Sequence, residues 1–369
     1  MSARSARSES ATAARTALPA VIRRDLDEIV DRTRSALQRL AGKTVLVAGG
    51  EGFLPSYLAD ALLHANDQGL APACRVICVD NRSTADPTRL AHRAERDDFV
   101  LVEHDVTAPL DLDEPVDYVV HGASIASPTW YRERPLETID VNVGGTRRLL
   151  DLALAKGVTR FVYLSSSEIY GDPPPDRVPT SEAYWGHVSS VGPRACYDES
   201  KRLAETLCMT YHRLYALPIT LVRPFNVYGP RLRLDDGRVV PDFVRDALAG
   251  RRITILSDGR VTRSFCYVAD FVAALLLVLT ADSSGETFNI GNDEEVTIAE
   301  LARVVDEAAG NGAGVAYETS ADPAYLTDNP SRRSPDLTKL TRTVGWRPSI
   351  DLREGIGRTI EYYRAEGRA

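Results

Sequence analysis

Tyr197 and Lys201 stand four residues apart in Gly192-Pro-Arg-Ala-Cys-Tyr-Asp-Glu-Ser-Lys-Arg202, a segment that reads as a loop entering a helix. Residues at this spacing share a helix face, so the ammonium can sit beside the phenol. A tyrosine with its ordinary pKa of ~10 is a poor base at neutral pH. A fixed positive charge nearby favours the phenolate, which can then accept a proton from a substrate hydroxyl. The spacing alone is common on helix surfaces. It carries a function only if the rest of an oxidising site accompanies it.

A second constellation supplies what such a base needs. A short apolar strand at 44–48 runs into Gly49-Gly-Glu-Gly-Phe-Leu-Pro55 and then a helix. Gly49 and Gly52 let backbone N–H groups approach a pyrophosphate, and Phe53 and Leu54 open the helix whose N-terminus favours negative charge. Pro55 stands where a third small residue is usual. Proline is tolerated in a first turn, so the loop survives and helix-on-strand packing is the feature affected. Asp80 ends the second strand, followed by Asn81; an acid there accepts the adenosine ribose hydroxyls and repels a 2′-phosphate. This selects NAD over NADP, with Arg82 as the counterweight. Asp105 and Val106 follow the third strand, where the adenine belongs. Ala123 and Ser124, in His121-Gly-Ala-Ser124, end the fourth strand against the cofactor.

The elements that must position these residues alternate strand and helix. Strands are expected at 44–48, 75–79, 99–103, 118–121, 161–165 and 219–222, with helices at 57–65 and 135–156 and one holding Tyr197. Apolar strands with little alternation suit a parallel sheet covered on both faces. The fold class is therefore α/β, a Rossmann-type doubly wound parallel sheet with a smaller mixed α/β C-terminal domain. Residues 1–18 form an Ala-, Ser- and Arg-rich tail expected to be disordered, and 19–41 an amphipathic helix that packs on the main domain or on a second subunit. Residues 42–224 make the cofactor domain and 225–369 mainly the substrate domain. A net charge of −8 argues against nucleic-acid binding. Five scattered cysteines form no metal-ligand spacing and suit a reducing cytoplasm. The longest apolar run, 271–280, is too short to span a membrane and reads as a buried helix.

Further blocks occur in fixed order: His121-Gly-Ala-Ser-Ile-Ala-Ser-Pro128, Ser165-Ser-Ser-Glu-Ile-Tyr-Gly-Asp172, Tyr184-Trp-Gly-His187, Arg223-Pro-Phe-Asn-Val-Tyr-Gly-Pro-Arg231, Asp236-Gly-Arg-Val-Val240, Thr262-Arg-Ser-Phe265 and Arg332-Arg-Ser-Pro-Asp336. With the glycine loop and the Tyr–Lys pair, the chain over about 43–365 resembles the extended short-chain dehydrogenase/reductase superfamily. Within it, the chain is most similar to the UDP-glucuronate decarboxylase (UDP-xylose synthase) family. The resemblance implies that Tyr197 is the catalytic base and Lys201 its partner. Ser166 falls where the family has Thr beside the reacting 4-hydroxyl, Glu168 near the sugar, and Arg333 facing the carboxylate. Oxidation at C4 makes a keto group β to the C5 carboxylate, CO2 departs, and the cofactor is regenerated. Asn226, Arg231 and Arg263 are candidates for the substrate diphosphate, with Ser124 and Glu168 nearby. The resemblance also implies a homodimer through helices at 135–156 and 197–215. Leu256 stands where the family has a Tyr that can stack on the base, so a dTDP-sugar is an alternative to a UDP-sugar. Rival activities on this scaffold are 4-epimerisation and 4,6-dehydration; a rival of another kind is a non-catalytic NAD-binding regulator.

Overall fold

Short runs rich in Val, Ile and Leu become strands, buried on both faces at the centre of the sheet and half-buried at its β3 edge. The computed structural model describes residues 18–320, 327 and 330–367. In it, β1 (Thr44–Ala48), β2 (Arg75–Asp80), β3 (Phe99–Glu103), β4 (Tyr118–His121), β5 (Arg160–Leu164), β6 (Ile219–Pro224) and β7 (Thr287–Ile290) form one parallel sheet. The spatial order is β7-β6-β5-β4-β1-β2-β3. β1 pairs with both β2 and β4, so the winding reverses there. In such sheets ligands lie in the crevice beyond the carboxyl ends of the strands at the switch point.

The helices in chain order are α1 (Ala20–Gln38), α2 (Phe53–Asp67), α3 (Thr146–Lys156), α4 (Ala195–Tyr215), α5 (Val239–Leu248), α6 (Val268–Thr280), α7 (Ile298–Ala309) and α8 (Leu352–Ala365), with shorter turns between them. Val45, Val47, Val120, Val162 and Val222 face the α2 and α6 side, whereas Leu46, Ile77, Val119, Phe161 and Leu221 face α3 and α4. The alternation follows from the two-residue period of a strand. β7 and α6, which the sequence assigns to the C-terminal part, complete this sheet and its cover. The break expected at residue 224 is thus crossed and recrossed by the chain.

The helix expected over 20–40 is found as α1, and its partner is its own chain. Val21, Ile22, Leu26, Ile29, Val30 and Leu37 are buried, all but Val21 in the core shared with α2 and α6. Among them Asp25 is fully buried. Its carboxylate accepts hydrogen bonds from Tyr57 (3.1 Å) and Tyr267 (2.9 Å) and pairs with Arg358 on α8 (2.9 Å). Burial raises this carboxyl to about 6, against the opposing pull of Arg358 and Tyr267. The tail expected over 1–18 lies, apart from Leu18, outside the described residues.

Between 135 and 156 the expected single helix is interrupted by a π-type turn at Asp140–Gly145. Such turns often mark functional sites. This one lets the buried Asn142 accept from Ser124 Oγ (2.8 Å) and donate to Ser200 Oγ on α4 (2.9 Å). Outside the main sheet, strand Thr262–Ser264 pairs with Glu295–Thr297 on one side and Arg332–Arg333 on the other. That register sets Arg333 directly opposite Arg263. Among the described residues no helix is long and apolar enough to cross a membrane.

Candidate active site

A cavity of about 860 Å³ opens beyond β1 and β4. It is lined by Gly49, Gly52, Phe53, Leu54, Asp80, Asn81, Asp105, Val106 and Ala123 at one end, and by Ser124, Ser166, Glu168, Tyr197, Lys201, Asn226, Arg263 and Arg333 towards the other. Nearly every residue singled out by sequence therefore meets in one place.

Arg231 is the exception and requires correction. It does not line this cavity. Its guanidinium is buried against Asp60 of α2 (2.7 Å) and lies over the Tyr57 ring (5.3 Å). Burial works against the Asp60 carboxylate, but Arg231 and its neighbours hold its pKa well below the ordinary range. A cation committed to a buried carboxylate is not available to a diphosphate. The residue that reaches the cavity here is Arg89, which donates to the carbonyls of Glu51 (2.7 Å) and Arg231 (2.6 Å).

The glycine loop has the form a dinucleotide requires. Gly49 has φ +77°, and a Cβ there would come within 2.7 Å of the Ala123 backbone, so only glycine fits. Gly52 caps α2 without a side-chain hydrogen bond, leaving first-turn N–H groups for an anion. The packing that Pro55 puts in question is preserved by a glycine on the next strand. A Cβ on Gly122 would lie 2.7 Å from the Pro55 ring, so the ring fills the space left at residue 122. Asp80 accepts the N–H groups of Glu51 (2.9 Å) and Arg82 (2.8 Å), one on each oxygen, and each oxygen keeps a lone pair for a ribose hydroxyl. Arg82, the counterweight in the sequence, is drawn to Glu51 (2.7 Å) and Glu103 (2.8 Å). It is thereby neutralised where a 2′-phosphate would need it, which favours NAD. Asn81 donates to Asp105 (2.9 Å), linking the ends of β2 and β3.

At the other end, Tyr197 is the third residue of α4 and Lys201 lies one turn on, both buried. Lys201 Nζ donates to the Leu164 carbonyl at the end of β5 (2.9 Å) and stands 5.8 Å from the centre of the Tyr197 ring. Burial lowers the Lys201 ammonium to about 7, partly offset by Glu205. Burial likewise pushes the Tyr197 phenol up to about 12, opposed by its hydrogen bond with Ser166. The protein alone therefore keeps Tyr197 protonated, contrary to the simple expectation from the spacing.

Three contacts were not legible in the sequence. Tyr131 stacks on Tyr197, with ring centres 5.1 Å apart and planes 15° apart, and fixes the face of the base. Asn142 holds Ser124 against the foot of α4, as described above. Arg194, the residue preceding α4, pairs with one oxygen of Glu168 while Arg333 pairs with the other. Burial alone would raise the Glu168 carboxyl, but Arg194 and Arg333 outweigh it and hold it at about 2. Arg263 stands beside them and donates to the carbonyls of Thr262 (2.7 Å) and Pro330 (2.6 Å). Burial, with Arg333 next to it, lowers its pKa to about 10.

A doubly wound sheet whose crevice carries a dinucleotide loop, a Tyr–Lys pair and an adjoining hydroxyl defines the class as a sugar-oxidising short-chain dehydrogenase/reductase scaffold. Residues 45–291 match the model of the NAD dependent epimerase/dehydratase family. The chain belongs to that family. It is 39% identical over 324 residues to UDP-glucuronic acid decarboxylase 1 of Xenopus tropicalis, covering 88% of this chain and 73% of that protein. It is 41% identical over 320 residues to UDP-glucuronic acid decarboxylase 5 of Arabidopsis thaliana, covering 87% and 89%. Among solved structures, the dTDP-glucose 4,6-dehydratase of Streptomyces venezuelae, with NAD bound, is similar at 27% identity and a TM-score of 0.76, covering 87% of this chain and 97% of that one. The loop, Asp80 and the neutralised Arg82 are the residues of this chain that fit NAD.

Proposed function

We propose that the chain is an NAD-dependent nucleotide-sugar carboxy-lyase that converts UDP-glucuronate to UDP-xylose and CO2. One observation carries this reading: Glu168 held between Arg194 and Arg333, beside the Tyr197–Ser166 pair. An oxidising site for a hydroxyl thus adjoins a cationic site for a carboxylate. The decarboxylases named above support the same assignment. A 4-epimerase of a neutral UDP-hexose has no need of the second part.

When bound, NAD supplies the oxidant and is returned to its starting state, so net redox is zero. Tyr197 takes the proton of the 4-hydroxyl, and the Ser166 hydroxyl, bonded to Tyr197, favours the phenolate against the cost of burial. The stacked Tyr131 keeps the phenol oriented. With C4 oxidised, the sugar is a β-keto acid. As CO2 leaves, negative charge moves from the carboxylate to the 4-oxygen, where the hydroxyls of Tyr197 and Ser166 are donors. Arg333 faces the carboxylate before it departs. C5 is then protonated and C4 reduced. Asn226 and Arg263 remain the candidates for the diphosphate. Leu256 lines the cavity where the base belongs and offers an apolar contact in place of a stacking ring, so dTDP-sugars belong in any substrate panel.

Exposed apolar side chains on 135–139, α3 and α4 (Leu136, Ile139, Leu154, Leu203, Leu214 and Tyr215) support a homodimer through these helices. The five unpaired thiols fit a reducing compartment such as the cytoplasm. The test is mass analysis after incubation with UDP-glucuronate and NAD. Loss of the mass of CO2 is the expected result. An unchanged mass with a new epimer, or loss of water from a UDP- or dTDP-hexose alone, would assign one of the rival reactions, and no turnover at all would favour the regulator.

A further inference from the structure

A reaction that returns its cofactor unchanged has no use for cofactor exchange. Loss of the cofactor between the two hydride transfers would strand an oxidised sugar, whether the reaction is decarboxylation, epimerisation or dehydration. Residues 231–238, which lead from β6 towards α5, are placed to prevent that loss. The Arg231 carbonyl accepts from Arg89, whose other terminal nitrogen donates to Glu51 in the glycine loop (2.6 and 2.7 Å). Arg231 itself has φ +70°, a left-handed conformation that persists outside glycine where the surroundings enforce it. Further on, the Asp236 carbonyl accepts from Ser127 Oγ (2.7 Å). Gly237, at φ +78°, lies so close to Thr129 that a Cβ would stand 2.4 Å from its hydroxyl. The ties thus reach the loops that follow β1 and β4, and Arg233 approaches the Thr84 carbonyl in the loop after β2 (3.4 Å). β4, β1 and β2 are neighbours in the sheet, so the segment runs across their carboxyl ends, where a dinucleotide lies.

Trp130 stands at the middle of this crossing. The Arg233 guanidinium lies 5.6 Å from the centre of its ring and that of Arg134 5.4 Å. Indole is the best of the aromatic partners for a cation. Arg134 also approaches the Ser83 carbonyl (3.5 Å), so both arginines join the indole to the loop after β2. Arg233 pairs with Asp235 (2.6 Å) and Arg134 with Glu137 (3.7 Å), which offsets the repulsion of two cations at one ring. Both carboxylates are exposed and within three residues of their arginines, so they fasten the segment to nothing else. The indole does. Ser83, Thr84, Trp130 and Arg233 all line the cavity.

We propose that residues 231–238 form a strap that holds the dinucleotide in the crevice between turnovers, latched by the seating of Arg233 and Arg134 on Trp130. The strap and the sheet enclose the cofactor between them, and release requires the latch to open. Neither the nucleobase nor the fate of the oxidised sugar enters the argument.

The test is the release of NADH from the full chain, followed by its fluorescence after a chase with excess NAD and without any sugar nucleotide. Loss of one cation–π contact sets the scale, so Arg233→Met should release NADH about 3–30-fold faster. Trp130→Ala should do at least as much, because both arginines lose their seat, and Trp130→Phe should recover part of the retention. The double variant should be no faster than Trp130→Ala alone, since the two residues act through one contact. Unchanged release from Arg233→Met overturns the proposal. So do effects that add in full in the double variant, which mean separate packing roles. Should Trp130→Ala fail to fold, Arg233→Lys gives the same reading: a cation kept at the ring should restore part of the slow release, and release as fast as from Arg233→Met contradicts the latch. With no sugar present, the outcome is separable from the assignment of the reaction. A chain that releases no CO2 from UDP-glucuronate yet shows these NADH rates loses its decarboxylase assignment and keeps the strap.

Discussion

At the scale of single residues, the site is built from groups held away from their ordinary ionisation. Lys201 is the sharpest case, because an ammonium in a fully buried position costs stability whenever it is charged. Its folded pKa of about 7 lies below the ordinary 10.5. Below pH ~7 the cost is present in full, and it falls away as pH rises towards the unfolded value. Lys201→Met should therefore be more stable than the parent chain near pH 6, with the gap closing as pH rises through 7 towards 10.5. Thermal melts of both proteins across that range measure it; a gap independent of pH would mean that Lys201 is not desolvated as described. The same variant should lose activity, the usual exchange of stability for function. What sequence could and could not supply is also clearest here. Tyr197 and Lys201 were legible because their relation is local, four residues on one helix. Arg194 was not, because its meaning lies in Glu168, 26 residues before it in the chain, and in Arg333, 165 residues beyond Glu168. Arg231 was misassigned for the same reason: nothing in its own segment reveals that Asp60 of α2 holds it.

At the scale of elements, strand positions could be read from apolar runs, whereas two departures could not. The π-type turn at Asp140–Gly145 leaves the apolar spacing of its helix almost unchanged, yet it carries Asn142 to Ser124 and Ser200. β7 is only four residues long and follows a loop rich in Ser and Gly, so it gives little signal until it docks on β6. α1 was legible as an amphipathic helix, but its purpose depends on Asp25, which joins α2, Tyr267 and α8. Since its folded carboxyl titrates at about 6 and an ordinary one at 3.8, the folded state binds this proton more tightly. Its contribution to stability is thus greatest at low pH and declines as pH rises to about 6. Asp25→Asn should remove that decline, so the variant gains on the parent between pH 4 and 6 and the difference then stays level. Asp25→Ala leaves two buried tyrosine hydroxyls without their acceptor and should cost about 2–4 kcal/mol. Denaturant titrations at several pH values read both effects; an unchanged slope in Asp25→Asn would count against the burial of this carboxylate.

At the scale of the whole molecule, the sheet brings a cofactor end and a sugar end into one crevice, and the C-terminal segments close it by setting Arg263 beside Arg333. The exposed leucines of α3 and α4 lie away from that crevice, on helices whose inner faces support it. Leu203→Glu combined with Leu214→Glu should convert a dimer into monomers in light scattering while the fold persists; a parent chain that is already monomeric would reject the interface. The central claim concerns what leaves the sugar. The most direct measurement is the ratio of CO2 released to UDP-glucuronate consumed by the purified chain, with cofactor absorbance followed in the same sample. The account predicts one CO2 for each sugar nucleotide, a UDP-pentose as product, and no lasting accumulation of reduced cofactor. Consumption of UDP-glucuronate without CO2, or CO2 released only with matching loss of oxidised cofactor, would contradict it.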